Sequence, residues 1–136
     1  MSADDVKHSD PHTTETLRRI DEIAAAFNRQ DVDAIANYFT PDGEFLFPNG
    51  PDPWGRRLTG PDAIRDALAK RFAVVRDMSW ESIRRWGNGD MAVSEWIVRG
   101  TQPNGEKIEY LGCDLWEFKN GKITKKDTYW KIVKKD

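Results

Sequence analysis

Cysteine is nearly missing from this chain of 136 residues: Cys113 stands alone. An internal disulfide and a multi-cysteine metal site are thereby excluded, and a reducing cytoplasm is the expected compartment. Histidine is almost as scarce, with His8 and His12 both ahead of the first helical pattern. A nucleophilic serine or cysteine would lack its histidine partner, and a His–Asp dyad would require the N-terminal segment to fold back over a pocket. No apolar run approaches the ~20 residues of a membrane span. The opening MSADDVKHSDPH has no basic start followed by an apolar stretch, so it is no secretory signal, and residues 1–12 are expected to form a flexible tail. An excess of charge is missing too. With 21 Lys and Arg against 23 Asp and Glu, no long-range field draws nucleic acid or anionic lipid, and neither is an expected partner.

What is present has the length of one domain, residues 13–136. From Thr13 the apolar residues Leu17, Ile20, Ala24 and Phe27 recur at helical spacing, which predicts an amphipathic helix over 13–29. Asp31 can cap a second, shorter helix bearing Val32, Ile35 and Phe39, stopped by Pro41-Asp42-Gly43. EFLFP reads as a strand, and the Pro/Gly-rich stretch 48–60 around Trp54 as a loop able to close over a pocket. Pro61 suits the first turn of a third helix with Ile64, Leu68 and Val75 on one side.

After Met78 the texture changes to strands separated by GNGD, PNGE and KNGK. Asn-Gly favours two-residue hairpin turns, so four antiparallel strands are expected over 78–87, 90–102, 106–118 and 122–132. Counting outward from each turn sets Ser82, Glu95, Asp114 and Asp127 in one row on one face of the sheet. Like charges directly opposed destabilise a solvated sheet, so three carboxylates in a row point to a pocket in which they raise and couple one another's pKa values.

The same count surrounds the acids with Trp80, Ile97, Tyr110, Trp116, Tyr129 and Lys131, the aromatic walls and polar donors of a small-molecule site. Gly112 beside the acids would leave room for a ligand. On the other face fall Trp96, Val98, Leu111, Leu115 and Trp130, too apolar to remain exposed, and this face is expected to form a homodimer. Cys113 alternates away from the acids as a buried small residue. Three carboxylates without a compact ligand loop make no site for a hard cation, so neither metal nor other cofactor is expected.

The order helix, helix, strand, loop, helix and four-strand meander resembles the nuclear transport factor 2-like superfamily in its SnoaL-like and ketosteroid-isomerase-like branches. The resemblance spans residues 13–132 and rests on FNRQDVDAIANYFTPDGEF, LTGPDAI, and WEFKNGKI followed by DTYW. It implies an α+β fold, cone-shaped, with three N-terminal helices on a curved, mainly antiparallel sheet enclosing a cavity. It also implies frequent dimerisation through the sheet's outer face. The limonene epoxide hydrolase branch uses an Asp-Arg-Asp set, and the matching positions here hold Glu95, Ile97 and Lys131, so that chemistry is not carried over.

The function expected on this basis is a cofactor-independent acid/base enzyme of isomerase, cyclase or lyase type acting on a partly apolar small molecule. Asp127 would be the base, Tyr129 two residues along would hold the growing enolate charge, and Asp114 and Glu95 would tune protonation. Trp54, Trp80, Tyr110, Trp116, Ile97 and Lys131 would contact substrate. Glu95 has an alternative as an ion-pair partner of Arg84. The alternative function is non-catalytic binding of a small, possibly cationic ligand between acids and aromatic walls.

Overall fold

A computed structural model describes residues 10–135. Three helices, Pro11–Asn28 (α1), Val32–Asn37 (α2) and Pro61–Val74 (α3), pack on one sheet of six strands. The strands are Phe39–Asp52 (β1), Gly55–Thr59 (β2), Ser79–Asn88 (β3), Met91–Thr101 (β4), Lys107–Lys119 (β5) and Lys122–Trp130 (β6), in the spatial order β2-β1-β6-β5-β4-β3. β1 and β6 run parallel and the other neighbours antiparallel. The architecture is the α+β one expected, with the helices on one face of the sheet.

Helix α1 starts at Pro11, ahead of the expected Thr13, because Asp10 caps it. The Asp10 carboxylate accepts from the His12 backbone N–H at 3.0 Å and the Thr13 hydroxyl at 2.8 Å. The remainder of the expected tail, His8 included, lies outside the described residues. Asp31 caps α2 as anticipated, its carboxylate accepting from Ala34 N–H at 3.1 Å. The stretch 48–60 is a hairpin rather than a loop, with Trp54 in its turn. Pro48 and Pro51 are tolerated because they sit where the β1–β2 pairing is interrupted, between Phe47 and Asp52, on the outermost strand pair of the sheet.

Helix α1 is fastened along β3 at three heights. Near its start, Gly89 N–H donates to Thr13 Oγ1 and the Thr16 hydroxyl donates to Gly89 O, both at 2.8 Å. Midway, the Arg85 guanidinium grips both Asp21 oxygens at 2.8 and 2.9 Å. At its end, the Asn28 amide makes a two-way bond with the Trp80 backbone, accepting at 2.8 Å and donating at 3.0 Å. The helix thus forms a fixed wall over the sheet. Leu17, Ile20, Ile23 and Phe27 of α1 meet Ile35 of α2, Ile64, Leu68 and Phe72 of α3, and Val98, Ile108 and Ile123 of the sheet in one continuous core.

Strand register departs from the expected one at two turns and two bulges. Lys119 does pair with Lys122 around Asn120-Gly121, both at positive φ, as the turn residues predict. Thr124 is then bulged out, so Asp114 pairs with Thr128 and Leu115 with Asp127. The β4–β5 turn holds three residues, Pro103-Asn104-Gly105, closed by Gln102 N–H to Glu106 O at 2.8 Å, and Asp114 pairs with Ser94 in place of Glu95. The β3–β4 turn is centred on Gly89-Asp90, and Ile83 is bulged out before Arg84 pairs with Glu95. A slip of one residue reverses the face of every side chain that follows.

Candidate functional site

The helix-covered face carries Ala92, Ser94, Trp96 and Val98 from β4, Gly112, Asp114 and Trp116 from β5, and Lys126 and Thr128 from β6. Between this face and α1 lies a cavity of about 280 Å³. Ile20, Ile23 and Phe27 line it from the helix, Trp80, Trp96 and Trp116 from the sheet, and Asp114 and Lys126 are its buried charged groups. Asp21, Ser82 and Arg85 add polar groups to the lining, and Arg84 and Glu95, whose side chains pair on the other face of the sheet, also border it.

Asp114 and Lys126 are 4% and 5% exposed. The Lys126 ammonium donates to Asp114 Oδ1 and to Thr128 Oγ1, each at 2.9 Å, and the Thr128 hydroxyl donates to the same Asp114 oxygen. The second oxygen, Oδ2, accepts from Trp96 Nε1 at 2.8 Å. Lys126 Nζ also lies 4.0 Å from the centre of the Phe45 ring, 4.9 Å from Phe27 and 5.4 Å from Trp116. A buried ion pair persists when hydrogen bonds occupy its remaining donors and acceptors, and aromatic faces supply the rest of the field here. Burial pushes the Lys126 ammonium below the usual lysine range, against the opposing pull of Asp114. Next to this pair, Trp116 Nε1 donates to Ser94 Oγ at 2.8 Å.

Local sequence explains the arrangement. A Cβ on Gly112 would come within 2.6 Å of the Trp96 ring and of Tyr129 O. Glycine is therefore what lets the indole of Trp96 lie across β5 and reach Asp114, and the space it leaves is filled by that ring and not by a ligand. The Thr124 bulge turns Lys126 and Thr128 inward.

Of the acids expected to stand together, only Asp114 is buried in the site. Glu95 pairs across β4–β5 with Cys113, on the opposite face, and its carboxylate bonds Arg84 at 3.0 Å, the alternative foreseen for it. Asp127 also points to the outer face, opposite Leu115, with Tyr129 O–H donating to it at 3.3 Å. Tyr129 is 54% exposed, and the neighbouring Asp127 charge, with lesser help from burial, raises its phenol pKa, which makes it a poorer proton donor. Cys113, on that face, is half-buried and its thiol is pushed up by burial and then by Asp114, Glu95 and Asp127.

Trp80 and Trp116 line the cavity as expected. Tyr110 is on the inner face but packs on Trp130 with ring centres 5.4 Å apart. Ile97 is on the outer face, paired with Leu111, and Lys131 follows β6 with an exposed side chain. Trp54 stands in the β1–β2 turn with Arg57 5.3 Å over its ring, away from the cavity. Trp96, Val98 and Trp130, assigned to the outer face, belong to the inner one, whereas Leu111 and Leu115 are outside as expected. His12 does meet an aspartate, its Nε2 standing 2.7 Å from Asp90, but the pair is exposed at the β3–β4 turn.

Lys126, Thr128 and Trp96 are the site residues the turn count did not reach. The signal for β4 was its own alternation. Ala92, Ser94, Trp96 and Val98 are small or apolar, against Val93, Glu95, Ile97 and Arg99, so burial of the first set outweighs the turn rule.

A family model described as a SnoaL-like domain matches residues 20–126. Among solved structures, a candidate polyketide cyclase from Xanthomonas campestris pv. campestris is 22% identical, with 88% of this chain and 93% of that one covered and a TM-score of 0.78. The epoxide hydrolase/cyclase-like enzyme SalBIII, of pyran ring formation in the polyether salinomycin, is 20% identical over 88% and 92% of the two chains, with a TM-score of 0.75. An LEH-like epoxide hydrolase of M. tuberculosis is 19% identical over 89% and 86%, with a TM-score of 0.73. The curated proteins include no sequence match. At these identities the solved structures share the fold, while the family match covers most of the sequence. The chain belongs to the SnoaL-like family, with the nuclear transport factor 2-like fold.

Proposed function

We propose that this protein is a cofactor-independent acid/base enzyme acting on a flat, partly apolar carbonyl compound, with Asp114 and Lys126 as its proton-handling pair. The observation that carries the reading is an Asp–Lys pair buried at a cavity of about 280 Å³, beside the rings of Phe27, Trp96 and Trp116. Such a pair is costly to bury, and apolar residues of the same volume would stabilise the fold as well or better. Chemistry is a reason to keep it.

The hydrogen bonds at the pair support a division of roles. Lys126 has three N–H donors and spends two, on Asp114 and Thr128. The third is available for a substrate oxygen, where a cation in an apolar surrounding stabilises a growing enolate more than it would in water. Asp114 accepts three bonds and keeps a lone pair on Oδ2, beside Trp96 Nε1, to take a proton from the carbon next to the carbonyl. Returning that proton to another carbon gives isomerisation; attack of the enolate carbon on a second carbonyl carbon of the same molecule, whose C=O π bond opens to an oxyanion that takes the proton from Asp114, gives cyclisation. The outer pair, Asp127 and Tyr129, lacks the enclosure, and its phenol O–H is already spent on Asp127. Binding of a cationic ligand is disfavoured, because the ammonium of Lys126 already sits among Phe27, Phe45 and Trp116 where a ligand cation would have to sit.

The working unit is proposed to be a homodimer in the cytoplasm. Leu111, Leu115, Met91 and Tyr129 leave a broad apolar area on the outer face, and a lone free thiol suits a reducing compartment. The experiment is hydrogen–deuterium exchange at the carbon between the carbonyls of a panel of aryl β-diketones, followed by NMR. Wild type should accelerate exchange for at least one member, and Lys126→Met, with its fold confirmed by near-UV circular dichroism, should lose at least a hundredfold of that acceleration. Exchange at the buffer rate across the panel, or full activity in Lys126→Met, would refute the reading.

A further inference from the structure

On the far side of Phe27, Trp80 and Trp96 from the main cavity is a second, narrower slot of about 50 Å³. Lys126 lines it as well as the first cavity, and Thr128 lines the slot beside it. Its walls are the rings and chains of Phe45, Phe47, Leu68, Phe72 and Met78. Arg71, from the last turn of α3, and Trp130, from the end of β6, line it too.

Arg71 differs from the arginines that hold carboxylates, and also from Arg56 and Arg76, which have no carboxylate within reach among the described residues but are exposed. Arg18, Arg57, Arg65, Arg84, Arg85 and Arg99 all hold carboxylates. Arg71 is half-buried, and among the described residues no carboxylate lies within ion-pairing distance of it; its recorded partner is the face of Trp130, 5.7 Å from the guanidinium carbon. Removal from water without a compensating anion pushes its pKa down, against the opposing pull of Tyr110. Stacking on an indole satisfies the flat face of a guanidinium and leaves its in-plane N–H fork unused, and that fork is the geometry that grips a carboxylate with two parallel bonds. A half-buried cation that bonds nothing in its own plane gains most when an anion arrives from outside.

We propose that the slot is a second binding subsite, in which Arg71 anchors the carboxylate of an aryl or alkyl-aryl acid while the apolar body of that molecule extends along Phe45, Phe72 and Trp80 toward Lys126. The substrate class of the enzyme is then an acid that also carries a reactive carbonyl, long enough to span from Arg71 to Lys126. This inference rests on the reading of the interior as a ligand site, but not on any chemistry at Asp114.

Binding of two matched probes tests it: 3-phenylpropanoate and its neutral near-isostere 4-phenylbutan-2-one, measured by titration of intrinsic tryptophan fluorescence and by calorimetry. Wild type should prefer the carboxylate by at least tenfold. Arg71→Leu should abolish the preference while binding the ketone as wild type does, and Arg71→Lys should retain part of it, since a point charge replaces the fork. Equal affinity of wild type for the two probes, failure of wild type to bind either, or a preference that survives Arg71→Leu would overturn the proposal. A carboxylate preference lost in Arg71→Leu, together with diketone exchange indifferent to Lys126→Met, would uphold the subsite and reject the acid/base reading, so the two failures are distinguishable.

Discussion

Lys126 and Asp114 compensate one another's charge in the interior, Nζ and Oδ1 standing 2.9 Å apart. Taking one away leaves the partner ionised in a site with little water, a change that costs about 3–5 kcal/mol when such pairs are broken. Lys126→Met should therefore lower unfolding free energy by that order, and the same loss is expected for Asp114→Leu, whereas the double variant should lose much less than the sum. Urea denaturation of the three variants measures this, and additive losses would show that the two groups do not act as a pair.

The same lysine gives a pH signature. Its folded-state pKa lies below the ordinary 10.5, chiefly through burial, so the unfolded chain holds that proton more tightly than the native one. Between the folded value and 10.5 the unfolded state carries more protons, and stability contributed by this group rises with pH. The difference in unfolding free energy between wild type and Lys126→Met should accordingly grow as pH climbs toward that value and then level off. A difference that shrinks over that window would mean the lysine pKa is raised instead.

At the scale of elements, the site depends on one glycine and one bulge. Gly112→Ala would drive a Cβ to within 2.6 Å of the Trp96 ring and of backbone oxygen in β6, and overpacking of this kind costs about 1–3 kcal/mol. The indole would be displaced from Asp114, so the variant should show both a lower urea midpoint and a changed tryptophan emission. Unaltered stability would mean that Trp96 moves freely.

Elements also mark how far the sequence could be read. Helical periodicity placed α1, α2 and α3, and the Asn120-Gly121 turn was right in type and position. Asp114 and Trp116 were legible as pocket residues because they sit on one regular strand, β5, and Trp80 fell on the right face because the slip at the β4–β5 turn and the bulge at Ile83 cancel. Glu95, Asp127 and Tyr129 were assigned to the wrong face because a third turn residue beside Asn104-Gly105 and the extra residue at Thr124 leave no local mark. Each costs one residue of register, which reverses an entire strand. Lys126 was hidden for the same reason: a lysine in a KKD run reads as solvated unless the bulge before it is known.

For the whole molecule, the helix order and the turn spacing sufficed to give the fold. Its outer sheet face still exposes Leu111, Leu115, Met91 and Tyr129, with Leu115 at 41%. A dimer through this face should dissociate when a charge is set at its centre. Sedimentation velocity should find wild type at twice the chain mass and Leu115→Glu at the chain mass with its circular dichroism unchanged. A monomeric wild type would remove the dimer from the account and leave the inner cavity as it is.

With Asp114 proposed as the reactive carboxylate of the interior, the outer Asp127 becomes a bystander. The most direct test compares diketone exchange rates of Asp114→Asn and Asp127→Asn, both verified as folded, under one set of conditions. The expected result is a loss of at least a hundredfold in Asp114→Asn and a rate within twofold of wild type in Asp127→Asn. The reverse ordering would contradict the assignment of the site.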